Sequence, residues 1–299
     1  MQIQAQLPQV PVETLIQRND IQLDLKRLDL VHPQISGNKF YKLKYNLQQA
    51  QQQDKTAVLT FGGAYSNHIA ATAYAAQMLG LQSIGIIRGE ELAQRPLNPT
   101  LQTAREMGMQ LEFISRQAYQ QRHEPDFLQQ LQSQFPDCYL IPEGGTNALA
   151  IQGCQEILTL EDLNHYDVFC CAVGTGGTLS GLIQASDSRH QLLGFSALKG
   201  EFLTQEVKQF TDESNWKILD TYCCGGYAKT SPELMQFIRS FEQTYQIPLE
   251  QVYTGKMLMG IFGLIEQGFF QSGTRILAIH TGGLQGRAQE LGDMPKISV

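Results

Sequence analysis

The chain has 299 residues, of which 42% are hydrophobic and 17% charged, with 22 Lys and Arg against 29 Asp and Glu for a net charge of −7. It is too apolar for disorder and long enough for two domains or one large α/β unit. The acidic balance argues against binding phosphate backbones, which requires clustered positive charge, and no stretch approaches the roughly 20 apolar residues of a membrane span.

In chain order, the opening MQIQAQLPQV has neither the basic run nor the apolar core of a secretory signal. Short apolar, β-branched runs predict strands over 57–61, 83–88, 110–114, 138–141, 167–173, 192–197, 217–222 and 275–280. Helical patterns fall between them, over 66–79, 99–107, 117–134, 147–159, 178–186, 201–210, 231–244 and 256–267. Such alternation is the mark of parallel sheets with crossover helices, whose ligands bind at the carboxyl ends of the strands. Among the six cysteines are the adjacent pairs Cys170–Cys171 and Cys223–Cys224, and C-x-x-C is absent, so buried thiols in a reducing cytoplasm are expected, with no metal site.

The glycine-rich segments after the strands carry the chemistry. Gly174-Thr175-Gly176-Gly177-Thr178 follows one strand and opens a helix, where converging N–H groups and the helix dipole suit a phosphate. It lacks the Lys of a Walker loop, and Leu179 breaks the dinucleotide pattern, which leaves a single phosphate or a simple tight turn. In Ser36-Gly37-Asn38-Lys39-Phe40-Tyr41-Lys42-Leu43-Lys44, the lysines Lys39 and Lys42 share the first turns of a helix. Cations are disfavoured at that end, so each lysine either points to solvent or has a reason to be neutral, as a Schiff-base lysine does. Thr60-Phe61-Gly62-Gly63-Ala64-Tyr65-Ser66-Asn67-His68 is a strand, a turn and a helix start. Ser66 and Asn67 suit an N-cap, and the same geometry would present a hydroxyl and free amides to a carboxylate. Tyr253-Thr254-Gly255-Lys256 and His280-Thr281-Gly282-Gly283 sit at two further strand–helix junctions.

Taken in this order, SGNK-x-x-KL, GG-x-x-SNH, GTGGT, VYTGK-x-x-x-G and HTGG resemble the pyridoxal-phosphate enzymes grouped as D-cysteine desulfhydrases and 1-aminocyclopropane-1-carboxylate (ACC) deaminases. The resemblance spans about residues 30–285. It implies the fold of the tryptophan synthase β-like, fold-type II enzymes: two α/β domains with parallel sheets and the cofactor in the cleft between them. The smaller domain would be 48–147, and 1–47 with 148–299 would form the larger.

By the same resemblance Lys39 forms the Schiff base with pyridoxal 5'-phosphate and later serves as general base, and Lys42 helps hold the phosphate. Asn67 bonds the ring hydroxyl, Ser66 the substrate carboxylate, and Gly174, Thr175, Gly176, Gly177 and Thr178 the phosphate. Tyr227 and Tyr253 match the two active-site tyrosines, with Ala228 where the family usually has glycine. ACC deaminases carry an acid after the second tyrosine and leucine in HxGG, whereas this chain has Thr254 and Thr281, as in the desulfhydrase branch. A threonine at the ring nitrogen, for which Thr281 is the candidate, makes a weaker electron sink than a carboxylate. That suffices for a thiolate leaving group. The expected reaction is therefore α,β-elimination on a small amino acid, D-cysteine giving pyruvate, sulfide and ammonia. The alternatives are ACC deamination to 2-oxobutanoate and ammonia, and a cofactor-binding protein with weak or no catalysis. The family resemblance also implies a homodimer.

Overall fold

Apolar side chains alternate between two faces along each strand and so build cores on both sides of two sheets. The computed structural model describes residues 9–18 and 21–294. The chain begins with β1 (Val12–Arg18), β2 (Ile21–Lys26) and α1 (Asn38–Gln52). There follow β3 (Ala57–Gly62), α2 (Asn67–Met78), β4 (Gln82–Arg88), α3 (Pro99–Glu106) and β5 (Met109–Ile114). Next come α4 (Arg116–Gln120), α5 (Pro125–Gln134), β6 (Cys138–Ile141), α6 (Ala148–Gln155), α7 (Leu160–His165) and β7 (Val168–Val173). The remainder is α8 (Gly177–Ala185), β8 (Gln191–Ser196), α9 (Phe202–Lys208), β9 (Trp216–Leu219), α10 (Pro232–Tyr245), α11 (Thr254–Glu266) and β10 (Arg275–Ile279).

A four-stranded sheet in the order β5-β4-β3-β6 is parallel throughout. A six-stranded sheet runs β1-β2-β10-β7-β8-β9, in which only the β1–β2 pair is antiparallel. In β7, Val168 and Cys170 face the core built with α10 and α11, while Phe169, Cys171 and Val173 face the one built with α6, α8 and α9. All six cysteines are free thiols, and Cys224 is the one not fully buried. On the smaller sheet, Val58 and Ile141 pack on α1 and α2, and Leu59, Phe61 and Ile86 pack on Tyr119 and Leu131. Among the described residues no helix is long and apolar enough to cross a membrane.

Every strand predicted from the sequence is present, with three local differences in the elements. The helix expected over 117–134 is two helices, because Glu124 is extended before Pro125, which opens α5. The last strand before α10 stops at Leu219, where Asp220 accepts the Cys223 N–H and starts a turn. The pair β1–β2 and the short α7 are additions. In β2, Asp24 and Lys26 are buried, Asp24 accepting the Tyr166 hydroxyl at 2.6 Å and Lys26 pairing with Asp162.

Candidate active site

The loops that follow β3, β6, β7 and β10 converge on the first turns of α1. Gly37, the N-cap of α1, has φ 69°, and a Cβ there would lie 1.9 Å from the Thr281 carbonyl oxygen, so only glycine fits. The Asn38 N–H donates to that same carbonyl at 3.3 Å. The Asn38 side chain donates to Thr178 Oγ1 at 2.7 Å and accepts from Lys39 Nζ at 3.2 Å. Lys42 Nζ donates to the Gly144 carbonyl at 2.9 Å, Thr146 Oγ1 at 2.9 Å and Thr175 Oγ1 at 3.3 Å. Lys42 therefore touches the 174–178 loop directly, and Lys39 is linked to it through the Asn38 side chain. Neither is an ordinary solvated cation: burial and the charge of Lys42 bring the Lys39 amine down to about 7, and burial lowers Lys42 as well.

Gly176, the N-cap of α8, is left-handed at φ 82° and carries no side chain to cap the helix. The first-turn N–H groups of α8 are thus left for an outside acceptor. A Cβ on Gly177 would come within 2.9 Å of the Thr146 side chain and 3.1 Å of Lys42 Nζ, so the missing side chain keeps this hollow open. Thr146 and Thr175 close its wall through a 2.6 Å bond between their hydroxyls.

On α2, Ser66 caps the helix by accepting the Ile69 N–H at 3.4 Å. The Asn67 Oδ1 is buried with no partner, and its Nδ2 lies against Gly283 after β10. Thr60 donates its hydroxyl proton to the Ile141 carbonyl at 2.8 Å, so the oxygen accepts from His68 Nε2 at 2.8 Å. That assignment leaves His68 Nδ1 as a bare lone pair, also buried and unpartnered. Burial, Lys39 and Lys42 hold this ring well below its ordinary value, so it is neutral.

Helix α11 organises the opposite wall. Tyr253 precedes it, and its Cε1 lies 3.1 Å from where a Cβ on Gly174 would stand. The ring sits edge-on to Tyr227, centroids 6.3 Å apart. Burial raises both phenols; for Tyr227, neighbouring Tyr253 and the charge of Arg88 offset part of the rise. Glu250 accepts the N–H groups of Val252 at 2.6 Å, Tyr253 at 2.8 Å and Thr254 at 2.6 Å, and its Oε1 lies 3.1 Å from Thr254 Oγ1. Burial raises this carboxyl while the N–H donors pull it back. Lys256, one turn into α11, donates to the Cys223 carbonyl at 2.8 Å and the Gly226 carbonyl at 2.9 Å, which fixes the loop bearing Tyr227. Thr281 is buried, its carbonyl is used by Asn38, and among the described residues its hydroxyl has no partner.

The structure thus brings together Lys39, Lys42, Ser66, Asn67, Gly174 through Thr178, Tyr227, Tyr253 and Thr281, all singled out in the sequence. It places Thr254 differently, fully buried with its hydroxyl bonded to Glu250. It adds Glu250, Lys256 and the Nδ1 of His68. The acid inside the apolar run IPLEQVY was the one signal for Glu250, and Lys256 was marked by its place one turn after Tyr253.

An amine brought down to about 7 by burial and a neighbouring lysine, an uncapped glycine helix start, an orphaned amide oxygen that can accept and a free hydroxyl form a set of groups that fits a phosphorylated pyridine aldehyde. The comparisons agree. A Thermotoga maritima protein provisionally named ACC deaminase is 30% identical over 310 residues, covering 96% of this chain and 97% of its own. The bifunctional D-cysteine desulfhydrase/ACC deaminase of Arabidopsis thaliana mitochondria is 29% identical over 93% of this chain and 76% of its own. A crystal structure described as an ACC deaminase homologue superposes with a TM-score of 0.81 at 27% identity, covering 94% of this chain and 91% of that one. The family description of pyridoxal-phosphate dependent enzymes matches residues 2–282, nearly the whole chain, and the chain belongs to that family.

Proposed function

We propose that the chain is a lyase performing α,β-elimination on a small amino acid, D-cysteine in the first instance. One C–H and one C–S bond break, and water completes the release of pyruvate, hydrogen sulfide and ammonia. Bound pyridoxal phosphate supplies the sink for the electron pair left at Cα. In this reading Lys39 would hold the cofactor, and its amine would remove the Cα proton, for which an amine titrating at about 7 is suited. The α8 N-terminus with Gly174, Thr175, Gly176, Gly177 and Thr178 grips the phosphate. Lys42 would help hold that phosphate, although its own donors are already engaged by the two loops. Asn67 meets the ring hydroxyl with its unpartnered amide, and Ser66 with the first turn of α2 receives the substrate carboxylate. Tyr253 and Tyr227 flank the reacting carbon and keep water from it.

The observation that carries elimination over ring opening concerns the two threonines. Thr254, where the deaminase branch carries an acid, is committed to Glu250, and Glu250 spends its oxygens on the start of α11. Thr281 then offers the ring nitrogen a neutral hydroxyl, a modest sink that suits departure of a thiolate. The relatives' names favour a second reading, ACC deamination to 2-oxobutanoate and ammonia. Sulfide release from D-cysteine measured beside 2-oxobutanoate release from ACC decides between them. Faster turnover of ACC or of L-cysteine overturns the first reading.

The same reading takes residues 48–147, which contain all of β3 to β6, as the smaller domain and 1–47 with 148–299 as the larger. It also makes the protein a homodimer, on the resemblance alone, and cytoplasmic, on its cysteines read as reduced thiols.

A further inference from the structure

The mouth of the cleft holds a cation that this chemistry leaves idle. Arg88 ends β4 at the carboxyl edge of the smaller sheet, and its side chain is exposed. Its Nη2 lies 3.5 Å from where a Cβ on Gly63 would stand, so the guanidinium overhangs the turn that leads into Ser66 and Asn67. Glycine at 63 leaves that space free. Tyr119 backs the guanidinium, with its ring centroid 5.8 Å away. The ring itself is anchored: it is buried, its hydroxyl donates to Glu143 at 2.7 Å, and Arg122 lies 5.1 Å from its centroid. The nearby carboxylates are taken, Glu143 by Arg122 at 2.6 Å and Glu91 by Arg116 at 2.7 Å. Among the described residues Arg88 makes no salt bridge. Its charge is felt across the cleft at the Tyr227 phenol.

We propose that Arg88 is a specificity-determining residue that receives an anionic group at the far end of the substrate side chain. A guanidinium held from behind by a ring and open at its edge presents a planar fork, the geometry that carboxylates and larger oxoanions accept. The inference rests on the amino-acid lyase reading and refines it: D-cysteine is the shortest molecule the site turns over, and the preferred substrate is a longer amino acid with a second acidic group.

The test titrates the cofactor-loaded protein with matched pairs, following its visible absorption for affinity and not turnover. D-Aspartate is set beside D-asparagine, D-glutamate beside D-glutamine, and D-cysteate and O-phospho-D-serine beside D-serine, with the L-forms in parallel. Which pair shows the largest gap separates carboxylate from sulfonate and phosphate. The charged member should bind at least about tenfold tighter than its neutral partner, as a charge-assisted hydrogen bond gives. Arg88→Gln should reduce the charged member to the affinity of the neutral one, and Arg88→Lys should restore part of the gap. An unchanged melting temperature shows that both variants are folded. Equal binding within every pair, or a gap that survives Arg88→Gln, overturns the proposal while D-cysteine turnover by the parent protein leaves the lyase reading standing. If neither D-cysteine nor any pair perturbs the absorption, both fall together.

Discussion

Lys39 has the most consequential environment of any single residue. Its amine sits beside another buried lysine, and burial followed by that neighbour's charge brings it from 10.5 to about 7. The sign follows directly: a lowered value means the neutral, nucleophilic form is populated from about pH 7 upward, where a solvated lysine would need alkaline conditions. Recapture of pyridoxal phosphate by the cofactor-free protein should accelerate up to about pH 7 and level off above it. Stopped-flow absorbance gives the midpoint, and a value near that of free lysine would place the amine in water. Ala228 gives a second single-residue expectation. It occupies φ 54°, a conformation that costs an L-residue about 1–2 kcal/mol and glycine very little. Ala228→Gly should raise stability by about 0.5–1 kcal/mol once the greater freedom of the unfolded glycine is subtracted, as a urea midpoint would register. At this scale the sequence made visible the residues that come as motifs, Lys39 and Gly176 among them, which the fold places near one another. Sequence reading could not find Arg88, Glu250 or the bare Nδ1 of His68, because what marks them is a missing or distant partner that appears only when separate loops meet.

Helix α11 shows how one element sets several groups at once. Its first turn is held by Glu250, its N-cap is Tyr253, and Lys256 reaches back to the carbonyls of the Tyr227 loop. The sequence VYTGK is thus a single mechanical unit that aims both tyrosines. Lys256→Met strands the Cys223 and Gly226 carbonyls, at a cost of about 1–3 kcal/mol. Hydrogen exchange of the 223–228 amides should quicken while that of β7 stays as it was; unchanged exchange in the loop would show that Lys256 does not hold it. The elements were largely legible because the parallel strands are buried on both faces and read as unbroken apolar runs. The helix break at Pro125 was legible in principle, since proline disfavours a helical residue before it. The β1–β2 pair is harder, since Asp24 and Lys26 interrupt its apolar pattern and meet their buried partners, Tyr166 and Asp162, more than a hundred residues away in sequence.

Across the whole molecule, Lys39 and the proposed phosphate loop belong to different helices, α1 and α8, and a third, α6, sets the distance between them. Gly153 of α6 lies where a Cβ would stand 2.1 Å from the Tyr41 carbonyl of α1. Gly181 of α8 lies where one would stand 2.3 Å from the Cys154 Cβ of α6. Glycine inside a helix ordinarily costs about 0.5–1 kcal/mol relative to alanine, so alanine should help. Here the sign reverses: Gly153→Ala and Gly181→Ala should each destabilise by about 1–3 kcal/mol through overpacking and also loosen the hold on pyridoxal phosphate. Stability and cofactor affinity measured on the same samples test both halves, and a gain in stability from either would mean the helices have room to part.

The three donors of Lys42 reach one loop from each sheet, Gly144 and Thr146 on one side and Thr175 on the other. They join the surroundings of the two sheets at the bottom of the gap, so that any opening should fall at the rim between Arg88 and Tyr227. Entry and exit of a solute would then resemble the parting of jaws on a fixed pivot. A pair of spin labels at the exposed positions Glu90 and Lys229 would report that stroke, as a shortening when an amino acid is bound.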